Sequence, residues 1–143
     1  MTPLTVPANL DSLAAIRQHV LEAAREAGLD KTRSYRLALA VDEIATNIIT
    51  HGYDEAGLQG TLEVSSDMDS ENLTVILRDS GAAFDPTQVK DPDVDKPVEE
   101  RGIGGMGVFL TIRNVDKFRY ERTGNENRNI FIMSRKSPSA GSR

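Results

Sequence analysis

Leu37-Ala38-Leu39-Ala40-Val41-Asp42-Glu43-Ile44-Ala45-Thr46-Asn47-Ile48-Ile49-Thr50-His51-Gly52-Tyr53 is the stretch whose reading decides the fold. Leu37, Val41, Ile44 and Ile48 recur at intervals of four, three and four, the spacing of one helical face turned to a core. The spacing predicts a helix from near Lys31 or Thr32 to His51, with Gly52 as its stop. Glu43 and Asn47 are four residues apart and share a face. At about 100° per residue, that face lies roughly 80–120° from the centre of the apolar stripe, at the core's edge. Glu43 has no basic residue three or four positions away, where Leu39, Ala40, Thr46 and Asn47 stand. Two roles suit the pair. One is a solvated helix flank; the other is a hard-oxygen corner for Mg²⁺ with a general base beside it. His51 ends the same line, where a histidine favours the helix dipole.

Outward from this helix, the chain divides into short elements. Leu4-Thr5-Val6 suits a first strand closed by Pro7. Asn9 or Asp11 can cap a helix to about Ala27, buried along Leu13, Ile16, Val20 and Ala24, with Gly28 ending it. Thr61–Ser66 and Leu73–Arg78 read as two strands around the polar turn Asp67–Asn72. A third helix is expected over Val108–Asn114. Phe118–Arg122 and Asn129–Ser134 then form a last strand pair around the turn Thr123–Arg128. The order α, α, ββ, α, ββ predicts an α+β fold: a two-layer sandwich with helices on one face of a mainly antiparallel, mixed sheet. There is no internal repeat. A single domain over residues 1–136 is expected, with a loose tail over 137–143.

Two other stretches can carry chemistry. Asp79-Ser80-Gly81-Ala82-Ala83-Phe84-Asp85-Pro86 follows a strand. It is either a plain turn, or a site where Asp79 accepts a hydrogen bond from a ligand amine and Gly81 lets that ligand near the backbone. Arg101-Gly102-Ile103-Gly104-Gly105-Met106-Gly107 runs into an apolar helix. It is either a hinge or a loop whose N–H groups wrap phosphates at a helix N-terminus. Its G-x-G-x-x-G is not a dinucleotide fingerprint, because the acidic, proline-broken segment before it is no strand. Neither H-R-D nor D-F-G of the eukaryotic-type protein kinases is present, and no Walker lysine follows the glycines. Asp91, Asp93 and Asp95 imitate a calcium loop, but Lys96 and Gly102 stand where glycine and an acid are needed.

Composition narrows the classes further. Hydrophobic residues make up 38% of the 143-residue chain and charged residues 27%, the balance of a globular protein. Lys plus Arg number 17 against 22 Asp plus Glu, and a net charge of −5 argues against a general nucleic-acid binder. With no cysteine, disulfides, thiolate-held metals and thiol catalysis are excluded. Two histidines, His19 and His51, do not make a multi-histidine metal site. The longest mostly apolar stretch, Met106 to Ile112, is far shorter than the about 20 residues that span a bilayer. No basic-then-apolar leader opens the chain, so the expected compartment is the cytoplasm, with no membrane contact.

The three motifs in order, LALAVDEIATNIITHGY (37–53), RDSGAAFDP (78–86) and RGIGGMGVFLTIRNVD (101–116), resemble the GHKL superfamily of ATP-binding domains. Within it, the pattern is most similar to the small anti-sigma factor family of serine-protein kinases. The resemblance implies the Bergerat-type sandwich, with ATP or ADP between the helical layer and a flexible lid over about residues 85–105. It implies that Glu43 is the general base and Asn47 the Mg²⁺ ligand. Asp79 would recognise the adenine amine, supported by Gly81. Gly102, Gly104, Gly105 and Gly107 would line the phosphates, with Arg101 reaching them. The lid's many acids would face solvent or a partner. The implied activity is phosphorylation of a serine on a STAS-type anti-anti-sigma protein, with a sigma factor or analogous regulator sequestered in turn. A homodimer is implied too. His19 lacks the acidic neighbour of a phosphoacceptor motif, so a complete histidine kinase is not expected. One departure stands out: where the family has Gly-Thr before its last strand, this chain has Arg128-Asn129, with Thr123-Gly124 earlier. That departure leaves open a non-catalytic nucleotide-binding module acting through its partner alone.

Overall fold

The computed structural model describes residues 1–86 and 113–135. Strand β1 (Leu4–Pro7) leads through a 3₁₀ turn (Leu10–Ser12) into α1 (Leu13–Glu26) and α2 (Lys31–Asn47). A π-helical segment, Ile48–Asp54, continues α2. Then come β2 (Thr61–Met68), β3 (Asn72–Asp79), β4 (Lys117–Thr123) and β5 (Glu126–Ser134). The sheet order is β1-β2-β3-β5-β4. Among the described residues every pairing is antiparallel, so the expected mixed sheet is corrected to a purely antiparallel one. The reason lies in the connections: β2–β3 and β4–β5 are hairpins, and β5 returns beside β3 running against it.

Alternation places one side of the sheet against the helices. Leu62, Val64, Leu73, Val75, Leu77, Phe131 and Met133 meet Ile16, Val20, Ala24, Leu37, Val41 and Ile44 in one apolar core. Each large side chain wholly removed from water contributes about 1.5–3 kcal/mol. Among the described residues no helix is long and apolar enough to cross a membrane.

Local chemistry moved several boundaries. Asp30 caps α2 by accepting from the Arg33 N–H at 2.8 Å, which sets the predicted start. Neither Asn9 nor Asp11 caps α1; the 3₁₀ turn comes first and α1 begins at Leu13. Gly52 does not stop the second helix. Thr46 Oγ1 donates to the Asp42 carbonyl at 2.8 Å and Asn47 Nδ2 to the Glu43 carbonyl at 2.9 Å. Such back-bonding loosens the ladder. It is followed by the wider i→i−5 spacing of Glu55 N to Thr50 O at 2.9 Å and Leu58 N to Tyr53 O at 2.8 Å. His51 lies in the last turn of this π segment rather than at the end of α2; it bonds Glu55 at 2.8 Å and stacks on Phe84 with ring centres 5.5 Å apart.

The turn before the last strand is also shorter than expected. It is Gly124-Asn125 alone, with Gly124 at φ +61°, and Thr123 pairs directly with Glu126. Arg128 and Asn129 thus lie inside β5, opposite Arg78 and Leu77. The third helix expected over Val108–Asn114 lies outside the described residues except for its last two positions, Arg113 and Asn114.

Candidate functional site

The helical arm of the site is the last turn of α2. Asn47 is buried, and its Nδ2 is held by the Glu43 carbonyl, which leaves Oδ1 as the amide's acceptor. Among the described residues that oxygen accepts no hydrogen bond. Glu43, one turn earlier, is half-buried and makes neither an ion pair nor a hydrogen bond there. Its neighbour Asp42 is different, being paired with Arg17 at 2.9 Å. A half-buried carboxylate and an amide oxygen are thus both left available on one face.

The sheet arm is the end of β3. Asp79 lies on the helix-facing side, in register with Leu62 of β2 and Asn127 of β5. It is 5% exposed. Oδ2 accepts from the Gly81 N–H at 3.0 Å and from Asn127 Nδ2 at 3.1 Å. Oδ1 is buried and has no partner among the described residues. Burial pushes the carboxyl above its ordinary range; the bonds from Asn127 and Gly81 and the charge of Arg122 oppose that shift. Asn129, two residues along the same face of β5, has a second orphaned oxygen, Oδ1.

Helix and sheet arms are joined at a close backbone contact. The Ala82 N–H donates to the Gly52 carbonyl at 2.9 Å. A Cβ on Gly81 would lie 2.7 Å from that carbonyl oxygen. Glycine is therefore required there by the close approach of the π-helical segment. Tyr53, in the same segment, is buried and accepts from the Ser80 N–H at 2.9 Å while donating to the Thr61 carbonyl at 3.0 Å. Burial raises its phenol above the ordinary value, so it stays a donor. Gly52 lies five residues past Asn47 on the segment that continues α2, so the helical arm and the post-β3 loop are linked through it.

The chain matches the Histidine kinase-like ATPase domain family over residues 6–135. It belongs to that family. Serine-protein kinase RsbW of Halalkalibacterium halodurans is 30% identical over 118 residues, covering 80% of this chain and 71% of its own length. Serine-protein kinase RsbW of Bacillus cereus strain G9842 is 27% identical over 111 residues, 75% of this chain and 68% of its own. Among solved structures, Acinetobacter baumannii histidine kinase AdeS superposes with a TM-score of 0.53 at 15% identity, covering 96% of this chain and 70% of that one. The histidine kinase domain of the Erythrobacter litoralis EL346 blue-light activated kinase gives 0.51 at 16% identity over 85% of this chain. This chain spans 60% of that Erythrobacter domain. Both structural likenesses speak to the fold, the α+β sandwich of the GHKL type.

Membership of the ATPase family implies ATP binding, and the donor set suits it. A buried carboxylate oxygen without a donor is matched by a base amine, and an amide oxygen beside a free carboxylate suits a hard cation. Arg101, Gly102, Gly104, Gly105 and Gly107 lie outside the described residues, as do Asp91, Asp93 and Asp95 and all but the start of the expected lid. The structure also adds residues that the motifs did not single out: Asn127, Arg122, Tyr120 and Tyr53. Alternation along β4 and β5 would have put the first three on the helix-facing side, had the turn been drawn two residues long.

Proposed function

We propose that this histidine kinase-like ATPase domain is a serine-protein kinase and anti-sigma regulator of the cytoplasm. It transfers the γ-phosphoryl group of ATP to a serine of a STAS-type anti-anti-sigma protein and holds a sigma factor or analogous regulator in turn. The observation that carries the reading is Glu43: a half-buried carboxylate on the family's helical motif, without a partner among the described residues and beside an available Asn47 oxygen. The similarity to serine-protein kinases of the RsbW name supports it.

Each residue then has a role. Asp79 Oδ1 takes the adenine amine, and Gly81 keeps the loop against Gly52. Glu43 accepts the serine proton as the serine oxygen attacks the γ-phosphorus. The bond to the β,γ-bridging oxygen breaks, and ADP leaves with that oxygen. Asn47 Oδ1 would hold Mg²⁺, which when bound offsets the charge of the triphosphate. Arg101, Gly102, Gly104, Gly105 and Gly107 complete the reading as phosphate contacts. A homodimer belongs to the same proposal.

One observation favours a second reading, a non-catalytic nucleotide module. The helix-facing positions of β5 at this end hold Asn127 and Asn129, while Thr123 sits on the opposite side of the sheet. No hydroxyl of the family's Gly-Thr stands there. Glu43→Gln separates the two, assayed by phosphate transfer from γ-labelled ATP to a STAS-type protein of the same genome. The kinase reading expects a rate loss of about 10²–10⁴-fold with ATP affinity kept. Unchanged transfer would remove Glu43 as the base, and no transfer from the wild type would favour the second reading.

A further inference from the structure

Asn127 is held from both sides. Its Oδ1 accepts from Arg122 Nη1 at 2.7 Å and from the Tyr120 hydroxyl. Its Nδ2 donates to Asp79 Oδ2 and to the Gly81 carbonyl, each at 3.1 Å. Turning the amide over would set Nδ2 against a guanidinium and Oδ1 against a carboxylate. Donor would face donor and acceptor would face acceptor, so only one orientation is allowed. Arg122 also reaches the Gly81 carbonyl at 3.3 Å, so β4, β5 and the post-β3 loop form one connected set.

The consequence falls on Asp79. A carboxylate oxygen has two acceptor positions. Those of Oδ2 are filled by the Gly81 N–H and Asn127 Nδ2, whereas Oδ1 is buried without a donor among the described residues. The group offers a ligand one oxygen instead of two. Adenine presents a single amine donor beside an acceptor nitrogen. Guanine presents N1–H and its 2-amino group side by side, a pair that matches both oxygens of a free carboxylate.

We propose that Asn127 is a positioning residue that turns Asp79 into a one-oxygen reader and thereby sets the preference for adenine over guanine nucleotides. This rests on the reading that Asp79 takes the base amine. Asn127 itself does not touch the base. Arg122 and Tyr120 act one step further back, by denying the Asn127 amide its other orientation.

The test is calorimetric titration of ATP and GTP into the full chain as wild type, Asn127→Leu, Arg122→Leu and Asp79→Ala. Wild type is expected to bind ATP over GTP, and equal affinities would overturn the proposal. Asn127→Leu keeps the side chain's size but frees one position on Oδ2, so the ATP:GTP affinity ratio is expected to fall about tenfold or more. Most of that fall should come from tighter GTP binding. Arg122 is exposed, so Arg122→Leu folds even if the buried change does not; its ratio is expected to fall about threefold, in the same direction. Equal weakening of both nucleotides, or an unchanged ratio in the folded variants, overturns the proposal and leaves Asn127 a merely structural residue. Asp79→Ala separates the two layers. If it leaves ATP binding intact, the reading of Asp79 itself fails. If it abolishes the preference while Asn127→Leu and Arg122→Leu do not, only the role of Asn127 fails.

Discussion

The helix-facing side of the sheet has two ends built to different rules. At one end Leu73, Val75, Phe131 and Met133 are buried in pairs across β3 and β5, and their side chains are apolar. Two to four residues further along the same strands, Asp79, Asn127 and Asn129 occupy equivalent inward positions. These are as buried as the apolar residues, yet two of their oxygens have no partner among the described residues. The first end serves stability by removing hydrocarbon from water. The second opposes it, since a buried acceptor without a donor is unfavourable by about 1–3 kcal/mol. Polar groups are kept in such places where a ligand completes them.

The comparison can be broken at its stable end first. Phe131 is fully buried and edge-packed on Phe118 at 5.1 Å. Phe131→Ala should lower unfolding free energy by about 3–5 kcal/mol in a denaturant titration. A loss under 1 kcal/mol would mean that this end is not the core. Asp79→Asn sharpens the contrast from the other side. ATP affinity should fall tenfold or more, while stability at neutral pH stays within about 1 kcal/mol of wild type or rises. The sign follows from the raised carboxyl pKa: the folded state holds its proton more tightly than the unfolded one. Asp79 therefore lowers stability as pH climbs above its ordinary 3.8. The asparagine variant should lack that slope, and a large loss of stability on substitution would show that Asp79 is structural.

The smallest expected effect concerns His19 on α1, whose buried Nε2 has no partner among the described residues. Burial lowers its pKa from the ordinary 6.5, partly offset by Glu22 and Glu26. The unfolded chain then binds the proton first as pH falls. Stability from His19 is complete above about pH 6.5 and declines as pH drops through the folded value. Melting temperatures measured between pH 8 and 5 should show this slope in wild type and lose it in His19→Leu. An identical slope in both would assign it to other groups.

Much of this was legible in the sequence because periodicity reports burial. The stripe Leu37, Val41, Ile44 and Ile48, the alternation in β2 and β3, and the start of α2 near Lys31 all follow from local rules. Glu43 and Asn47 could be placed on one face by counting, and Asp79 by its position after a strand. The misplaced features share a cause. Gly52 looked like a helix stop, but the chain runs through it as a π segment that follows the back-bonded Thr46 and Asn47. Glu126 to Arg128 looked like a polar turn, because polar residues in a strand signal exposure unless something inside requires them.

The sequence by itself determined the layers, the helical pair of polar groups and the family, since each rests on local spacing or on the order of motifs along the chain. Only the tertiary structure decided what those groups face. The Asp79–Asn127 contact joins residues 48 positions apart, and Arg122 reaches Gly81 across 41. Local propensity contains no information about such pairs. They arise because β5 returns beside β3 in one register, and a shift of a single residue would turn Asn127 to the opposite side of the sheet.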